Sequence, residues 1–393
     1  MLQKWDVLII GAGASGLMCA QRAAKRGRRV VVVDHGQEVG KKIRISGGGR
    51  CNFTHLQAQP KYYLGNDPLF CRFALRAFRP EDFMALLKKY GVHTQEKSPG
   101  QMFCAQSSRQ IVDVLLEECR QGGVVFQMGT MVQRVQKKAG AFIVQTSQGE
   151  WQGNALVVAT GGRSWPKIGA TGLGYALAEQ FGVRVVPQRP ALVPLTCDAQ
   201  TLHFIKPLIG IALPAQARSE QGCFNDGLLF THRGLSGPVI LQISSYWREG
   251  EKITLNLAPQ IEIYSALKNA KNNLPRHLVG SALSQWLPKR LAQAIVEQIG
   301  VGSRLAETSD KTLRQVANAV NHWQMTPSGT EGYRTAEVTL GGVDTQDLFP
   351  KNMQCKQVPG LYFIGESVDI TGQLGGFNLQ WAWSSGYVAG QSV

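Results

Sequence analysis

The apolar and polar positions at the start of the chain predict a strand, a glycine-rich turn, a helix and a second strand. Val7–Ile10 is a short apolar run, and helical spacing follows over Gly16–Lys25. Gly27 ends that helix, and Val30–Val33 is a second apolar run. Two buried strands joined by a helix are typical of the βαβ unit of a parallel sheet.

The next part of the chain changes its periodicity twice. Residues 80–90 and 109–121 have the spacing of amphipathic helices. Residues 124–158 alternate like strands, with hairpin turns at Gly140 and Gly149, and end in a buried strand.

From about Pro187 the pattern of apolar and polar positions changes again. Prolines separate short strand-like runs up to Leu257, and residues 262–320 then have helical spacing. After Tyr333 the chain returns to strands and glycine-rich turns, and residues 374–390 have the pattern of a closing helix.

This order predicts an α/β fold in which one domain is interrupted by an insertion. The interrupted domain is Rossmann-like and occupies residues 1–188 and 333–393. The insertion has a β half at 189–260 and a helical half at 261–332.

Charge and apolar content narrow the classes of partner. The 393 residues carry a net charge of +15. This charge favours a polyanion as binding partner, either nucleic acid or an anionic membrane surface. The alternative is a basic protein whose charge has no binding role. No apolar run approaches the roughly 20 residues that span a bilayer, and no signal peptide precedes the first strand. We expect a cytoplasmic protein that does not use a membrane.

The eight cysteines contain no C-x-x-C pair. Their spacing argues against a disulfide framework, a zinc site and a dithiol-relay flavoenzyme. No metal is expected.

The first chemical motif is the turn Gly11-Ala12-Gly13-Ala14-Ser15-Gly16 after the first strand. Its first glycine makes the tight turn, the second admits a pyrophosphate, and the third lets helix and strand pack closely. Asp34 ends the second strand and can accept hydrogen bonds from ribose hydroxyls, which favours FAD or NAD over NADP. The alternative is a purely structural turn.

A second motif surrounds the triplet Gly47-Gly48-Gly49. Three glycines weaken regular structure and suit a loop that lies against a flat, phosphate-bearing ligand. Lys42 and Arg50 could neutralise a pyrophosphate, and Asn52 could reach the edge of an isoalloxazine. The alternative is a flexible surface loop.

Two later turns are predicted to contact the same phosphate-bearing ligand. Ala159-Thr160-Gly161-Gly162 follows a buried strand, and Gly365-Glu366 ends another, where the acid could bind a ribityl chain. Gly372 and the segment Gly375–Asn378 then open the closing helix, whose N-terminus could face the flavin.

Together these motifs predict one resident FAD. The residues predicted to bind it are Gly11, Gly13, Ala14, Ser15, Gly16, Asp34, His35, Lys42, Ser46, Gly47, Gly48, Gly49, Arg50, Asn52, Ala159, Thr160, Gly161, Gly162, Gly365, Glu366, Gly372, Gly375, Gly376, Phe377 and Asn378. No second G-x-G-x-x-G is present, so a hydride donor such as NADH or NADPH must visit the flavin transiently or dock elsewhere.

The insertion contains one more polar motif, Thr231-His232-Arg233, before a segment rich in glycine, serine and proline. We expect a rigid polar tip there. A lone histidine is often structural, so a substrate-facing role and a structural role both stay open for His232.

The chain resembles a known family at four motifs: ISGGGRCNFT, FTHRGLSGP, EGYRTAEVTLGGV and YFIGE with LGGFN. They are similar to those of the BaiN/RdsA-type (YhiN-like) flavoproteins, from residue 6 to the C-terminus. The resemblance implies an FAD domain with a β-barrel-like and a helical insertion. It implies a branch of enone reductases and a branch that makes dihydrouridine in large-subunit ribosomal RNA, and it favours the RNA branch.

Both branches imply reduction of a C=C bond conjugated to a carbonyl, with an acid that protonates the α carbon. Cys51 is the first candidate acid and His232 the second, while a buried packing cysteine is the alternative for Cys51. Arg233 or Arg334 could bind a developing enolate oxygen or an RNA phosphate.

The net charge favours ribosomal RNA, or a precursor of it, over a sterol. Basic residues of the helical half are plausible phosphate contacts: Lys268, Lys271, Arg276, Lys289 and Arg290. Two alternatives remain: an NAD(P)H-dependent enone reductase of a small cyclic substrate and a non-catalytic RNA-binding flavoprotein.

Overall fold

The structure, a computed structural model, describes residues 3–393. It contains two compact units. The discontinuous unit runs up to Arg189 and resumes over Val338–Val393, and the inserted unit is Pro190–Glu337. Within the described residues, no helix has the length and apolar character needed to cross a bilayer.

The first part of the chain alternates short strands and helices. Its strands are β1 (Gln3–Ile10), β2 (Val30–Val33), β3 (Asn52–His55), β4 (Tyr63–Leu64), β5 (Thr94–Ser98), β6 (Gln101–Cys104), β7 (Val125–Gln127), β8 (Val132–Lys138), β9 (Ala141–Thr146), β10 (Gly149–Val158) and β11 (Val185–Ala191). Its helices are α1 (Ala14–Ala24), α2 (Lys41–Ile45), α3 (Arg72–Ala77), α4 (Pro80–Lys89), α5 (Arg109–Gln121) and α6 (Leu173–Gln180). The helices predicted over 80–90 and 109–121 are thus observed as α4 and α5.

The inserted unit and the last segment supply the remaining elements. The strands of the inserted unit are β12 (Leu195–Thr196), β13 (Ala212–Arg218), β14 (Cys223–Phe230), β15 (Gly234–Ser236), β16 (Ile253–Asn256), β17 (Trp323–Met325) and β18 (Gly329–Thr330). Its helices are α7 (Ala199–Ile205), α8 (Pro238–Tyr246), α9 (Ile263–Asn273), α10 (Val279–Leu283), α11 (Lys289–Ile299) and α12 (Asp310–Asn321). The last segment contains β19 (Val338–Val343), β20 (Leu361–Phe363), β21 (Thr371–Gly372) and α13 (Phe377–Gly390).

The main sheet of the discontinuous unit has a parallel part, in the order β7-β2-β1-β10. β10 is long enough to serve two neighbours on its other side. Its second half pairs in parallel with β20, and its first half pairs antiparallel with β9, which is followed by β8. The apolar runs of β1 and β2 are buried because helices cover a parallel sheet on both faces. The carboxyl ends of β1, β2, β10 and β20 meet at one edge, where a doubly wound sheet binds its ligand.

Helices α1 and α13 pack closely against each other in this unit. A side chain at Gly386 would contact the backbone of Ser15, and one at Gly390 would contact the backbone of Cys19. Small residues on α13 therefore set the distance between the helices. The contact fixes the start of α1, which lies at the ligand edge of the sheet.

The β element of the insertion is a seven-stranded antiparallel sheet in the order β17-β16-β13-β14-β15-β12-β18. β17 and β18 follow helices α9–α12 and return to this sheet, so both halves of the insertion share it. The expected polar tip after Phe230 consists of two elements, a tight turn into β15 and then α8. Pro238 is the first residue of α8, a position where proline suits a helix.

Candidate functional site

The glycine-rich turn after β1 is held tightly by its neighbours. Gly11 has a left-handed φ of 113°, and its N–H donates to the Val33 carbonyl at 2.9 Å. Gly16 lies so close to the Gly11 carbonyl and the Ala159 methyl that no side chain fits there. A side chain at Gly13, in contrast, would meet no protein atom within 4 Å. The space in front of Gly13 is therefore open to a ligand.

Helix α1 presents its N-terminus at the same turn. Gly13 is its N-cap, and no side chain caps it or adds an acidic group in the first turn. Thr160, in the turn after β10, has a buried hydroxyl without a hydrogen-bond partner anywhere in residues 3–393. Uncapped N–H groups at the positive end of a helix and an unsatisfied hydroxyl fit the pyrophosphate of a dinucleotide.

Asp34 shapes the turn at the end of β2. One carboxylate oxygen accepts from the N–H of Ala12 and the other from the N–H of Gly36, each at 2.7 Å. The His35 ring is exposed, with Nδ1 3.7 Å from the Asp34 carboxylate. A carboxylate oxygen has a second lone pair, so Asp34 can accept from ribose hydroxyls while it holds the two turns.

Three predicted cofactor segments meet at the Glu366 side chain. Lys42 Nζ lies 2.6 Å from Glu366 Oε2 and donates to Ser164 Oγ at 2.7 Å. Glu366 Oε1 accepts from Ser164 Oγ at 2.9 Å and from the Thr339 N–H at 3.0 Å. The backbone at Gly162 packs directly against Glu366 and Thr339, with no room for a side chain. We call Lys42, Ser164, Thr339 and Glu366 the Glu366 network.

Sequence reasoning missed Ser164 and Thr339 in this network. Thr339 Oγ1 accepts from the N–H of Arg163 at 2.8 Å and of Ser164 at 3.2 Å. Thr339 lies inside the EGYRTAEVTLGGV motif, which marked the segment, but nothing in its spacing marked that threonine. Its role arises from the packing of β19 beside the turn after β10.

The glycine triplet lies in a short 3-10 turn over Ser46–Gly49, in which Gly47 and Gly48 depart from helical backbone angles. All three glycines have left-handed φ values between 56° and 80°. The Gly49 carbonyl accepts from the N–H of Ser108 at 2.9 Å, which ties the turn to the start of α5. Three consecutive left-handed residues require glycine because a side chain in that region is strained.

The N-terminus of α13 lies against β3. Gly376 has a φ of 100°, and a side chain there would lie 2.8 Å from Asn52 Oδ1. The Asn378 amide closes a loop by bonding both the N–H and the carbonyl of Gly372 at 2.8 Å. The Phe377 ring is buried and stacks on His55 at 4.3 Å between centroids. The ring of Phe377 therefore holds the segment in place by packing. It leaves the backbone of the segment, and not this ring, as the part that can face a ligand.

Gly365 contacts both the start of α1 and helix α13. Its N–H donates to Ser385 Oγ and its carbonyl accepts from Trp381 Nε1, both at 3.0 Å. A side chain at Gly365 would overlap Ser15, since its Cβ would lie 2.9 Å from the Ser15 Cβ. The Gly365-Glu366 turn, the start of α1 and α13 therefore form one contiguous region in the discontinuous unit.

Cys51 lies beside this region but is fully buried, with 0% of its surface exposed. Burial raises the pKa of its thiol to about 12, against a smaller opposite effect of a hydrogen bond with Ser46. A thiol with no accessible surface cannot contact a substrate. The structure therefore favours the alternative of a packing cysteine over a proton donor.

His232, Arg233 and Arg334 belong to the inserted unit. His232 and Arg233 occupy the turn between β14 and β15, where Thr231 Oγ1 accepts from the Arg233 and Gly234 N–H groups at 3.3 and 3.2 Å. Both side chains are exposed and make no hydrogen bond or ion pair with other described residues. They are therefore available for a substrate contact.

Several basic residues expected to bind phosphate have partners inside the inserted unit. Lys268 pairs with Asp310 at 2.7 Å, Lys271 donates to the Thr308 carbonyl at 2.7 Å, and Arg290 donates to the Pro207 carbonyl at 3.1 Å. Arg276 and Lys289 are exposed and lack such partners within the described chain. Lys268 and Lys271 thus lie beside the carboxylate of Asp310, whereas Arg276, Lys289 and Arg290 have no acidic partner in the described structure.

The excess positive charge lies mainly on the other unit. Residues 190–337 contain 14 lysines and arginines against 11 aspartates and glutamates. The discontinuous unit contains 28 against 16. Any attraction for a polyanion therefore comes chiefly from the unit that contains the glycine-rich turns.

A parallel sheet with an open glycine turn, an uncapped helix N-terminus and an acid at the end of the second strand defines a Rossmann-type FAD-binding protein. The chain matches the HI0933-like protein Rossmann domain family over residues 5–392, and it belongs to that family.

Relatives match it along its full length. It is 44% identical over 398 residues to the "Ribosomal RNA dihydrouridine synthase" of Escherichia coli strain K12, covering 100% of this chain and 98% of that protein. The Haemophilus influenzae protein of the same name is 43% identical, with coverages of 100% and 99%. The "3-dehydro-bile acid delta(4,6)-reductase" of Clostridium scindens is 27% identical, with 98% of each covered. The resemblance seen in the motifs is confirmed.

Proposed function

We propose that the protein reduces a uridine of large-subunit (23S) ribosomal RNA to 5,6-dihydrouridine, with NADH or NADPH as the reductant. Full-length similarity to two proteins named ribosomal RNA dihydrouridine synthases carries this proposal. The net reaction adds one hydride equivalent and one proton across the C5=C6 bond, and the nicotinamide is oxidised. The substrate is RNA in the cytoplasm or a ribosomal precursor.

The residues at the ligand edge of the sheet would hold the FAD, which when bound supplies hydride transfer. The open backbone at Gly13 and the start of α1 would bind its pyrophosphate, and Asp34 its ribose. The Glu366 network would fix the turns against the cofactor, because its hydrogen bonds join α2, the turn after β10 and the turn after β20. A preassembled site of this kind lowers the cost of orienting the reactants.

The proton on C5 must come from a group that can reach the substrate. His232 is our candidate, since its imidazole is exposed at a turn that Thr231 holds in place. Imidazoles as a class exchange protons near neutral pH. Arg233, beside it, would stabilise negative charge on the uracil carbonyl as the proton arrives.

Deleting the gene and measuring dihydrouridine in large-subunit ribosomal RNA by mass spectrometry tests the proposal. Loss of the modification, restored by the wild-type gene, is the expected outcome. An unchanged level in the deletion strain would contradict the function. A companion assay uses purified holoenzyme, rRNA and either NADH or NADPH, and identifies the reductant.

The Clostridium scindens relative supports a second candidate, reduction of a small cyclic enone. Rapid NAD(P)H oxidation with such an enone, insensitive to salt, would favour it. Tight RNA binding with no flavin turnover would instead indicate a non-catalytic RNA-binding flavoprotein. The charge of the discontinuous unit argues for RNA, since a neutral substrate gives no reason for a basic surface.

A further inference from the structure

Three exposed cations surround the glycine turn at 47–49. Arg50 follows the turn directly, and its carbonyl accepts from the N–H of Cys104 at 3.0 Å. Arg109 begins α5, next to Ser108, whose N–H bonds the Gly49 carbonyl. Lys97 Nζ lies 4.4 Å from the centroid of the Phe103 ring, which packs against Gly47. We call Arg50, Lys97 and Arg109 the glycine-loop rim.

The three rim cations have no ion-pair partner in the described part of the chain. Within residues 3–393, none of the three side chains makes a hydrogen bond with a protein group either. Two nearby acids are engaged elsewhere: Glu38 pairs with Arg44 at 3.2 Å, and Glu96 accepts from the Gly100 N–H at 2.5 Å. Asp113 lies one turn along α5 from Arg109 and forms no ion pair with it. Uncompensated cations of this kind attract an external anion.

The two sides of this segment have different surroundings. Lys42, on α2, is directed to Glu366 and Ser164 inside the Glu366 network. Arg50, eight positions later, is exposed, as are Gly48 and Gly49. A side chain at either of these glycines would meet no protein atom within 4 Å. The outer side of the turn is thus a bare backbone bordered by cations and by the positive end of α5.

We propose that the glycine-loop rim binds the phosphates of the RNA strand next to the nucleotide that is reduced. This inference rests on the proposed function and adds the surface that recognises the RNA. A uracil must leave its stack to be reduced, so the flanking backbone is distorted and needs fixed phosphate contacts. Exposed glycines allow that backbone to approach closely, and the cations supply affinity without reading sequence.

The experiment measures binding of a labelled large-subunit rRNA fragment to the holoenzyme from about 50 to 200 mM salt. Each phosphate contact contributes about 0.7–0.9 to the slope of log affinity against log salt. We therefore expect Lys97→Gln/Arg109→Gln to reduce the slope by about 1.5, with unchanged FAD content. The matched control is Arg134→Gln/Lys138→Gln on β8, two exposed cations that also lack partners in the described structure, and it should keep the wild-type slope.

Two further variants separate the rival assignments. Arg50 was also predicted to bind FAD, so the FAD content of Arg50→Gln decides between the two roles. A slope reduced by about 0.7–0.9 with FAD retained would assign Arg50 to the RNA, and loss of FAD would assign it to the cofactor. Arg276→Gln/Lys289→Gln tests the helical half. If that pair reduces the slope and the rim pair does not, the rim proposal is overturned.

The failure of the rim and the failure of the proposed function give different results. If the wild-type gene restores dihydrouridine to the deletion strain and the rim pair keeps the wild-type slope, only the rim is wrong. If the wild-type protein neither binds the fragment nor restores the modification, both are wrong.

Discussion

Lys42 Nζ and Glu366 Oε2 lie 2.6 Å apart although 324 positions separate the two residues in the chain. The pair joins α2 to the turn after β20, and Ser164 bonds both partners. It thereby connects the segments that were predicted to bind the cofactor.

Removing the negative charge of this pair should weaken cofactor binding. Glu366→Gln keeps the shape but leaves Lys42 without its counter-charge, so we expect a loss of about 1.4 kcal/mol, or tenfold in the Kd of FAD. Titration of apoprotein with FAD measures it. The control is Glu179→Gln, an exposed acid on α6. Unchanged or tighter FAD binding would show that Glu366 holds Lys42 away from the cofactor.

Gly13→Ala separates ligand contact from folding. Its backbone is extended, and an added methyl group meets no protein atom within 4 Å, so the apoprotein should keep its melting temperature. The methyl group would occupy the space proposed for the pyrophosphate, so the FAD Kd should rise about tenfold or more. Gly302→Ala, where the surroundings are equally open, is the control. Equal FAD affinities for the two variants would remove Gly13 from the cofactor site.

Substitutions of Cys51 and of His232 should have opposite effects on stability and on turnover if His232 is the proton donor. Cys51→Ala should cost about 1–3 kcal/mol of stability because it leaves a small cavity, and kcat per bound FAD should change less than about threefold. His232→Gln should lower kcat by about 10²–10⁴ with little change in stability. Single-turnover reduction of the RNA measures the catalytic rate of each variant, and urea unfolding measures its stability. A large loss of turnover in Cys51→Ala alone would restore the cysteine as the acid.

The buried carboxylate of Glu118 should dominate the stability of the contact between α1, α4 and α5. It is 0% exposed and bonds Lys25, Lys89 and the Tyr90 hydroxyl. Glu118→Gln breaks this buried cluster and should cost about 3–5 kcal/mol. Urea unfolding measures the loss. Its neighbour Glu117 pairs with Arg120 at the surface, so Glu117→Gln should change little; similar losses in both would contradict the buried role.

Acid should remove the stability that Arg184 provides. A bidentate hydrogen bond from Arg184 lowers the pKa of Asp347 below its ordinary value. A lowered pKa in the folded state means that this stabilisation is fully present above the unfolded pKa, about 3.9, and is lost as the pH falls through the folded pKa. The difference in unfolding free energy between wild type and Arg184→Gln should therefore be largest near pH 6 and shrink below about pH 4. Arg134→Gln, which removes an unpaired arginine, should show no such pH dependence.

Local motifs predicted much of the discontinuous unit. The βαβ start, α4, α5 and the closing helix follow from periodicity and glycine positions, because these elements are stabilised by neighbours close in sequence. The inserted unit was harder to predict. β17 pairs with β16 across four intervening helices, and α8 begins at a proline that resembled a turn signal.

The sequence by itself predicted a dinucleotide site at Gly11–Gly16, because a G-x-G-x-x-G turn there lies between an apolar strand and a helix. It also determined the family and the excess of positive charge. Only the tertiary structure decided that Cys51 is buried, that Lys42 pairs with Glu366, and that Thr339 holds the turn after β10. Burial and pairing depend on residues far apart in the chain, and periodicity over neighbouring positions contains no information about them.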